Sequence, residues 1–499
     1  MSGNIKKEFG DYQTPKEFCH KVCSYLKKHG YSDNIKEILE PTCGKGNFLS
    51  SACMMFEINR CIGVEINEEY INETKEKVPD ATLINNSIFE VNTRELCETS
   101  EVLVIGNPPW ATNSQLSYNL PKKINFRKLR GIDALTGSSN FDICEYIILK
   151  LLDEFQGTDS IICMLCKTSV ARNVLLEISR NQIMYSKIEM LTFNSNKVFG
   201  VSAPACVFMI KLSSKGNKNE NVICEVKEFD SELLIDTLSV NEGIITSLNS
   251  DSKLEGECQL IWRQGVKHDC SKVMELAYKN GVYINKNKEI VSIEKNLVFP
   301  LVKSSDFKKP ILNEFSKYVI VTQSKPKQDT SYIQKQFPYT WKYLNDNIEK
   351  FNNRKSVIYK KAPLFSMFGI GEYSFAPYKV GLSGFYKKPL FSLLHSNKPV
   401  MTDDTAYFVA FEDYEIAYTA MLILNTELVQ NFLISIAFLD NKRPYTVKLL
   451  SRLDIEKCTK YLSFDDIKKS EKNLQLKEYV TEKMYDDFIH HITNKKTQV

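Results

Sequence analysis

Residues 102–110 constrain the fold of this chain more than any other stretch. The apolar run 102–105 predicts a buried strand, and Gly106 ends it. The polar turn 107–109 follows and is closed by Trp110, whose indole we expect to be exposed. Ligands of open α/β sheets bind at the carboxyl ends of strands, so this turn is a candidate functional site.

The chemistry of this turn suits an aromatic amine. Pro108 and Pro109 fix φ and remove two backbone donors, so the Asn107 amide oxygen and the Pro108 carbonyl can accept hydrogen bonds from one point. Trp110 adds a flat apolar face. Two acceptors favour the pyramidal form of an amine such as N6 of adenine, whose lone pair then attacks without a strong base. An ordinary Asn-Pro turn is the alternative, against which the double proline, the aromatic residue and the apolar strand argue.

A glycine-rich turn lies between two short apolar segments nearer the amino terminus. Residues 35–39 predict a strand, a helix follows through Met55, and residues 61–65 predict a second strand. Gly44 and Gly46 let the backbone pass close to a ligand, and the free amides at the helix start attract a carboxylate.

The acid that ends the second strand indicates a ligand with a ribose. Glu65 lies 19 residues after Gly46, where a side chain usually accepts from ribose hydroxyls. Dinucleotide oxidoreductases share this arrangement of strand, loop, helix, strand and acid. The loop here lacks their G-x-G-x-x-G pattern.

These segments together resemble the amino-methyltransferases, and among them the gamma class of adenine-N6 DNA methyltransferases. Residues 107–110 match the motif (Asn/Asp/Ser)-Pro-Pro-(Tyr/Phe/Trp), and residues 40–46 resemble the loop (Asp/Glu)-Pro-x-Cys-Gly-x-Gly. Tyr12, Thr14 and Pro15 match the Tyr-x-Thr-Pro segment that precedes this loop in the gamma class. The order of segments along the chain is also that of the gamma class.

The resemblance implies an α/β fold and S-adenosylmethionine (SAM) as the cofactor. It implies a Rossmann-like methyltransferase domain over residues 1–247, followed by an α+β target-recognition domain over residues 254–499 with a C-terminal helical tail. The catalytic residues that it implies are Asn107, Pro108, Pro109, Trp110 and Phe199. The cofactor-binding residues that it implies are Thr14, Pro15, Glu40, Pro41, Cys43, Gly44, Gly46, Glu65, Ile66, Ser87, Ile88 and Asn107. No metal is expected.

Two of these assignments carry an alternative. Ser87 stands where the family usually has an Asp that holds the adenine amino group of SAM, and Asn86 is the candidate substitute. Residues 198–204 resemble a family segment whose aromatic side chain, here Phe199, stacks on the flipped target base. A core phenylalanine at a strand edge is the other interpretation of Phe199.

Local patterns predict the remaining elements of the first domain. Pro15 is placed to start a helix with Thr14 as its cap. Residues 111–139 predict a binding loop beside the site. The further helices are expected at 18–26, at 140–155 and at 168–179, and the further strands at 82–86, 160–166, 188–191 and 205–212.

The second half of the chain has the features of a nucleic-acid-binding domain. Residues 262–269 and 299–306 resemble segments that open target-recognition domains. Residues 321–390 hold twelve Lys or Arg against four Asp or Glu, and fourteen aromatic residues. A solvated basic face over an aromatic core explains this composition, and so does a nucleic-acid groove. The boundary is expected at 247–253, and the tail from Phe464 is expected to be a solvated helix.

Composition excludes several classes of protein. Hydrophobic residues make up 43% of the 499 and charged residues 25%, which is typical of soluble globular chains of two or three domains. No apolar run reaches the roughly 18 residues that cross a bilayer. Residues 1–10 lack the apolar core of a signal peptide, so we expect a cytoplasmic protein without a membrane partner.

The cysteines predict neither disulfides nor zinc. Several of the fourteen, such as Cys53, Cys61 and Cys206, sit in apolar runs and are expected to be reduced, buried thiols. The pair Cys163 and Cys166 lies inside an apolar run, with no second pair or histidine in register.

Three functions are compatible with the sequence. The first is a site-specific DNA adenine-N6 methyltransferase that binds double-stranded DNA, as a restriction-modification enzyme or an orphan methylase. The second is a SAM-dependent methyltransferase acting on RNA or a protein amide, which the large basic second domain disfavours. The third is a catalytically silent DNA-binding specificity protein, which the change at Ser87 favours and the intact 107–110 turn disfavours.

No fused nuclease is expected. The first motif begins at Phe9, and the carboxyl half is needed for target recognition. A separate cognate restriction endonuclease is a candidate partner.

Overall fold

The first half of the chain folds around one large mixed sheet. The computed structural model describes residues 13–110, 142–201, 203–215, 221–248 and 252–495. The chain divides into two compact units, Met1–Asn249 and Ser250–Val499.

The first unit alternates strands and helices before it ends in strands. Its helices are α1 (Lys16–Lys28), α2 (Asn47–Phe56), α3 (Glu68–Lys77), α4 (Ile143–Phe155), α5 (Thr168–Asn181) and α6 (Ser195–Phe199). Its strands are β1 (Glu37–Glu40), β2 (Cys61–Glu65), β3 (Thr82–Asn85), β4 (Val102–Gly106), β5 (Ile161–Lys167), β6 (Tyr185–Phe193), β7 (Ala205–Leu212), β8 (Val222–Glu228), β9 (Leu234–Asn241) and β10 (Ile244–Ser247).

The strand order creates a switch point beside β1. The ten strands run in the order β10-β9-β8-β6-β7-β5-β4-β1-β2-β3. Strands β3, β2, β1, β4 and β5 pair in parallel, and β7 is antiparallel to both β5 and β6. The chain leaves β1 on one side for β2 and β3, and returns on the other side at β4. The carboxyl ends of β1 and β4 therefore flank the crevice in which such sheets bind ligands.

The predicted elements of this unit form with small shifts at their ends. Strands β1 and β4 are buried at every position, as expected for parallel strands covered on both faces. The expected Thr14 cap is wrong: Pro15 itself occupies the cap position of α1, and no side-chain hydrogen bond caps that helix. The cause is that the helical backbone begins at Lys16, one residue later than expected. The predicted loop at 111–139 lies outside the described residues.

The expectation that all cysteines are reduced is wrong for one pair. Cys53 and Cys61 form a disulfide, because the end of α2 and the start of β2 bring their Cα atoms to 6.5 Å. The remaining twelve cysteines are free, and all except Cys258 are buried. These include Cys163 and Cys166 in β5.

The second unit contains two smaller sheets and a helical end. Its strands are β11 (Arg263–Gln264), β12 (Glu275–Lys279), β13 (Val282–Asn285), β14 (Ile290–Val291), β15 (Val298–Val302), β16 (Ile311–Leu312), β17 (Lys317–Ile320), β18 (Tyr378–Ser383), β19 (Ser392–His395), β20 (Met401–Thr402) and β21 (Ala406–Phe411). Its helices are α7 (Ser271–Met274), α8 (Tyr332–Gln336), α9 (Pro338–Asp346), α10 (Ile348–Asn352), α11 (Tyr414–Leu424), α12 (Glu427–Ile436), α13 (Val447–Leu450), α14 (Ile455–Tyr461), α15 (Phe464–Asn473) and α16 (Glu482–Lys495). The sheet orders are β11-β21-β18-β19-β16 and β14-β13-β12-β17-β15-β20.

The segment 262–269 passes from one of these sheets to the other. Its β11 pairs with β21 in the first sheet, and Val266 then bridges to Asp403 beside β20 of the second. A Cβ atom on Gly265 would lie 2.2 Å from the Asp403 carbonyl oxygen and 2.3 Å from that of Thr402. Only glycine therefore allows this crossing.

The C-terminal tail is not a solvated helix as expected. Helices α15 and α16 bury one face each, including Ile467, Phe488 and Ile492, against α11 and its neighbours. Their lysines cover only the opposite face, which is why the charge-rich sequence suggested full exposure.

Most aromatic residues of segment 321–390 are buried or pack half-buried against the core. Phe351 and Phe365 are buried with ring centroids 4.9 Å apart, and Trp341 contacts Phe365 at 5.5 Å. The interpretation of this segment as an aromatic core beneath a basic face is thus supported.

Among the described helices, no single helix is long and apolar enough to cross a bilayer. Helices α11 and α12, which are bent by 62° relative to each other, together have the length and composition of a membrane span, and only these two properties indicate one.

A buried ionic cluster ties α1 and the residues after it to the sheet. Glu189 on β6 is fully buried and accepts hydrogen bonds from Lys227, Tyr31 and Tyr25. Burial alone would raise the pKa of Glu189, but the hydrogen bonds from Lys227, Tyr31 and Lys187 outweigh it and hold this pKa at about 2.

We predict that Glu189→Gln lowers the free energy of unfolding at pH 7 by about 3 kcal/mol. The depressed pKa means that the carboxylate stabilises the fold fully above its ordinary pKa of 4.5 and loses this contribution as the pH falls toward 2. The difference in the free energy of unfolding between the wild type and Glu189→Gln, measured by urea unfolding, should therefore become smaller below pH 4.5. Glu225→Gln is the matched control, because half-exposed Glu225 binds the same Lys227 and should change stability by less than about 1 kcal/mol. Equal effects of the two substitutions would contradict this account.

Candidate active site

The two candidate motifs meet at the carboxyl ends of β1 and β4. Parallel pairing of Leu39 with Val104 sets the two strand ends side by side. A Cβ atom on Gly106 would lie 3.4 Å from Glu40 Cγ and 3.7 Å from Pro41 Cδ. The predicted cofactor loop and the predicted catalytic turn therefore begin at adjacent strand ends.

The loop after β1 has the open backbone that a ligand needs. Gly44 and Gly46 have φ values of 49° and 70°, in the left-handed region that favours glycine. The Gly46 amide donates to the Cys43 carbonyl at 2.7 Å, and the Cys43 amide donates to Val64 at 2.9 Å. Cys43 is buried, so its side chain packs beneath the loop.

Helix α3 supports this loop from the side. The Thr74 hydroxyl donates to the Gly44 carbonyl at 3.0 Å, and a Cβ atom on Gly46 would lie 2.5 Å from Thr74 Cγ2. Lys77 Nζ donates to the Lys45 carbonyl and, at 2.9 Å, to Asn47 Oδ1. These contacts hold the turn in one conformation before any ligand arrives.

Glu40 is an internal support for the helix that follows the loop. Its buried carboxyl accepts from the Leu49 amide at 2.8 Å, inside the first turn of α2. Burial raises the pKa of Glu40 well above its usual range. The side chain thus links the end of β1 to α2 and lies against Gly106.

The acid at the end of β2 also points at the loop. One Glu65 oxygen accepts from the Gly44 amide at 2.8 Å, and the other accepts from the Asn67 amide at 2.9 Å. The next residue, Ile66, is 50% exposed. A carboxylate beside an exposed apolar side chain fits a ribose attached to a planar base.

The turn after β3 uses its polar side chains locally. Asn86 Oδ1 accepts from the Ser87 amide at 2.8 Å, and Ser87 Oγ accepts from the Phe89 amide at 3.3 Å. Ile88 is buried. The Ser87 hydroxyl therefore shapes this turn, which an Asp carboxylate would also do.

The amino-terminal segment closes the other side of the loop. Thr14 is buried, and its carbonyl accepts from Asn47 Nδ2 at 2.8 Å, while Pro15 is exposed. Gln13 Oε1 accepts from the Lys45 amide at 3.2 Å, and the Gln13 side chain lies 3.0 Å from the position of a Cβ on Gly44.

Trp110 does not have the exposed indole that the sequence suggested. It is only 8% exposed, and its Nε1 donates to the Leu165 carbonyl on β5 at 3.3 Å. The reason is that the Pro-Pro turn directs the indole back over the neighbouring strand. Pro108 is buried, Pro109 and Asn107 are half-buried, and Asn107 Oδ1 is shielded from solvent.

The Phe199 ring lies against the Trp110 indole in an edge-to-face arrangement. Their centroids are 5.5 Å apart and their planes are inclined by 68°. Phe18 and Phe193 pack at 6.3 and 6.2 Å from Phe199. The half-buried Phe199 ends helix α6 and belongs to an aromatic cluster beside Trp110, so it is not a core residue of a strand edge, and its stacking on a target base stays a prediction.

Sequence reasoning missed four residues that shape the site. Only Gln13 carried a signal, because it is the variable position of the Tyr-x-Thr-Pro segment. Asn47, Thr74 and Lys77 had none, since they reach the loop from positions that look like ordinary polar positions of helices. Among the described residues, no group of three or more His, Cys, Asp or Glu could hold a metal ion.

Comparison with known proteins gives two sequence relatives. The chain is 37% identical over 492 residues to the type II methyltransferase M.NspV of Nostoc sp., covering 93% of this chain and 100% of that protein. It is 23% identical over 218 residues to the type II methyltransferase M.CvrRI of Paramecium bursaria Chlorella virus XZ-6E, covering 43% of this chain and 52% of that protein. No protein-family model matches.

One solved structure is a methyltransferase subunit of a type I restriction-modification system from Streptococcus thermophilus. It is 15% identical, with 46% of this chain and 56% of that chain covered and a TM-score of 0.31. The α/β sheet described above is the Rossmann-like fold of SAM-dependent methyltransferases. Since M.NspV is matched along its entire length at 37% identity, the chain belongs to the type II methyltransferases, and its methyl donor is SAM.

Proposed function

We propose that this enzyme is a gamma-class, site-specific DNA methyltransferase that modifies N6 of adenine. The observation that carries the proposal is the placement of the Asn107-Pro108-Pro109-Trp110 turn and the glycine loop at neighbouring strand ends, where Gly106 lies against Glu40 and Pro41 at the β1–β4 switch point. The relatives named type II methyltransferases support DNA as the substrate.

The residues around the loop fit SAM. The amides at the start of α2 and the left-handed turn at Gly44 and Gly46 can receive its carboxylate, and Glu65 can accept from its ribose hydroxyls. Exposed Ile66 can cover one face of its adenine. The buried Glu40 and Cys43 hold the loop from below, so we assign them to its support. Bound SAM supplies a methyl group activated by its sulfonium.

The catalytic turn acts on the amine of the target base. Asn107 Oδ1 and the Pro108 carbonyl accept the two hydrogens of N6, which concentrates the lone pair on nitrogen and orients it toward the loop. Positive charge that grows on nitrogen is stabilised by the same acceptors, so alignment and electrostatics supply most of the rate.

The target adenine has to leave the duplex to reach this turn. Its rotation costs about a few kcal/mol of stacking and pairing. We propose that Trp110 and Phe199 hold the flipped base between them. Because the two rings are in edge-to-face contact, the base can enter only if Phe199 turns or shifts away from Trp110.

The target sequence and the modified base can be mapped directly. Incubation with SAM and mixed-sequence DNA, followed by sequencing that locates N6-methyladenine, should reveal modification at one short recurrent sequence. Modification of cytosine, or of RNA only, would overturn the proposal. A cognate restriction endonuclease that cuts the same sequence is the partner that we propose.

Asn107→Ala should lower methyl transfer at least 100-fold, because one acceptor for the amine is lost. SAM binding, measured by calorimetry, should stay within about twofold of the wild type. Asn107→Asp is the control, since it keeps an acceptor oxygen of similar reach and should retain more activity than alanine. Full activity of Asn107→Ala would contradict the acceptor role.

Gly46→Ala should weaken SAM binding at least tenfold. The added Cβ would lie 2.5 Å from Thr74 Cγ2 and would hold a left-handed backbone that costs about 1–2 kcal/mol. Gly243→Ala is the matched control, because its φ of 72° is nearly the same and nothing lies within 4 Å of its Cβ position. Calorimetry should find normal SAM affinity in the control, and normal affinity in Gly46→Ala would argue against this loop as the cofactor site.

A further inference from the structure

One segment of the second unit is basic throughout. Residues 350–371 contain five Lys or Arg and no Asp or Glu. Helix α10 ends within this segment at Asn352, and the chain then turns before it returns to the core at Phe365. We call residues 353–361 the basic loop.

Arg354 anchors the basic loop from the inside. Its guanidinium donates to the carbonyl oxygens of Phe351 at 3.1 Å, Ser366 at 2.8 Å and His268 at 3.3 Å. The guanidinium carbon also lies 3.7 Å from the centroid of the Tyr359 ring. This carbon lies 5.3 Å from the Phe351 ring centroid as well, so three carbonyls and two aromatic rings hold the guanidinium, a brace that links the loop to the rest of the unit.

The segment 262–269 supplies part of this brace. The His268 carbonyl accepts a hydrogen bond from the Arg354 guanidinium. The next residue, Asp269, has a left-handed backbone conformation. Burial raises the pKa of Tyr359, and the nearby Asp269 carboxylate raises it further. The same segment crosses between the two sheets at Gly265, where a Cβ atom would clash with the backbone of Thr402 and Asp403, so the basic loop is attached to a tightly packed part of the second unit.

The outer side chains of the loop are cationic and accessible. Lys355, Lys360 and Lys361 are exposed, and none of the three forms an ion pair with another described residue. Two lysines elsewhere in this unit are instead paired with carboxylates: Lys303 binds Glu275 at 2.9 Å, and Lys317 binds Asp306 at 2.5 Å. The loop therefore carries three uncompensated charges on a braced backbone.

We propose that the basic loop binds the phosphate backbone of DNA through Lys355, Lys360 and Lys361. This inference rests on the proposed function, because it assumes a duplex substrate. Three exposed ammonium groups can each neutralise a phosphate and release its counterion. The brace keeps the loop in place without DNA, so binding loses less conformational freedom than it would with an unfixed loop.

The test is the salt dependence of DNA binding. A labelled duplex that carries the mapped methylation site is titrated by fluorescence anisotropy between 50 and 200 mM salt. Loss of three phosphate contacts should reduce the slope of log affinity against log salt by about 2.7. Over this range the wild type should thus lose about 40-fold more affinity than Lys355→Ala/Lys360→Ala/Lys361→Ala.

The control triple variant is Lys469→Ala/Lys472→Ala/Lys477→Ala, which removes the same charge from exposed positions in and after α15. Its slope should equal that of the wild type, and SAM affinity should be normal in both triple variants. Each single substitution in the basic loop should give about one third of the slope reduction. If the triple variant loses SAM affinity, the slopes of the single variants decide whether the basic loop binds phosphates.

An unchanged slope in the loop variants, or an equal reduction in the control, would overturn the assignment of the basic loop. The proposed function would survive either result as long as the wild type still produced N6-methyladenine in DNA. Absence of that product in the wild type would instead remove the proposed function itself.

Discussion

The parallel pairing of β1 with β4 is the constraint on which the site depends. Because both strands are buried at every position, neither can slip in register without displacing its core residues, so Gly106 is held against Glu40 and Pro41. The reversal of strand order at this point opens a crevice between two turns of different chemistry. One turn offers backbone amides and a carboxylate, and the other offers carbonyl oxygens and aromatic rings.

Much of this arrangement could be predicted because it depends on local signals. Apolar runs predicted β1, β2, β4 and β5, and the glycines and prolines predicted the two turns. The burial of Trp110 could not be predicted, because it depends on a carbonyl of β5 that is distant in sequence. The contacts of Gln13 and Thr74 with the loop, and the Cys53–Cys61 bond, likewise depend on which elements become neighbours in the fold.

In the second unit, too, composition predicted the kinds of residues present but not where each side chain lies. An excess of lysine and aromatic residues predicted a basic face over an aromatic core, but composition could not distinguish paired from unpaired charges. Lys303 forms an ion pair with Glu275, whereas Lys355 is exposed next to Arg354, which is held by protein carbonyls. The tail was misjudged for a similar reason, since its charged residues hid an apolar face with Phe488 and Ile492.

The geometry of bound SAM tests the central claim most directly. In a crystal structure with SAM, the account predicts that the carboxylate lies at the Gly44–Gly46 turn and that the sulfonium methyl group faces Asn107 Oδ1 and the Pro108 carbonyl. A methyl group that points away from this turn, or SAM bound at another strand end, would contradict the account.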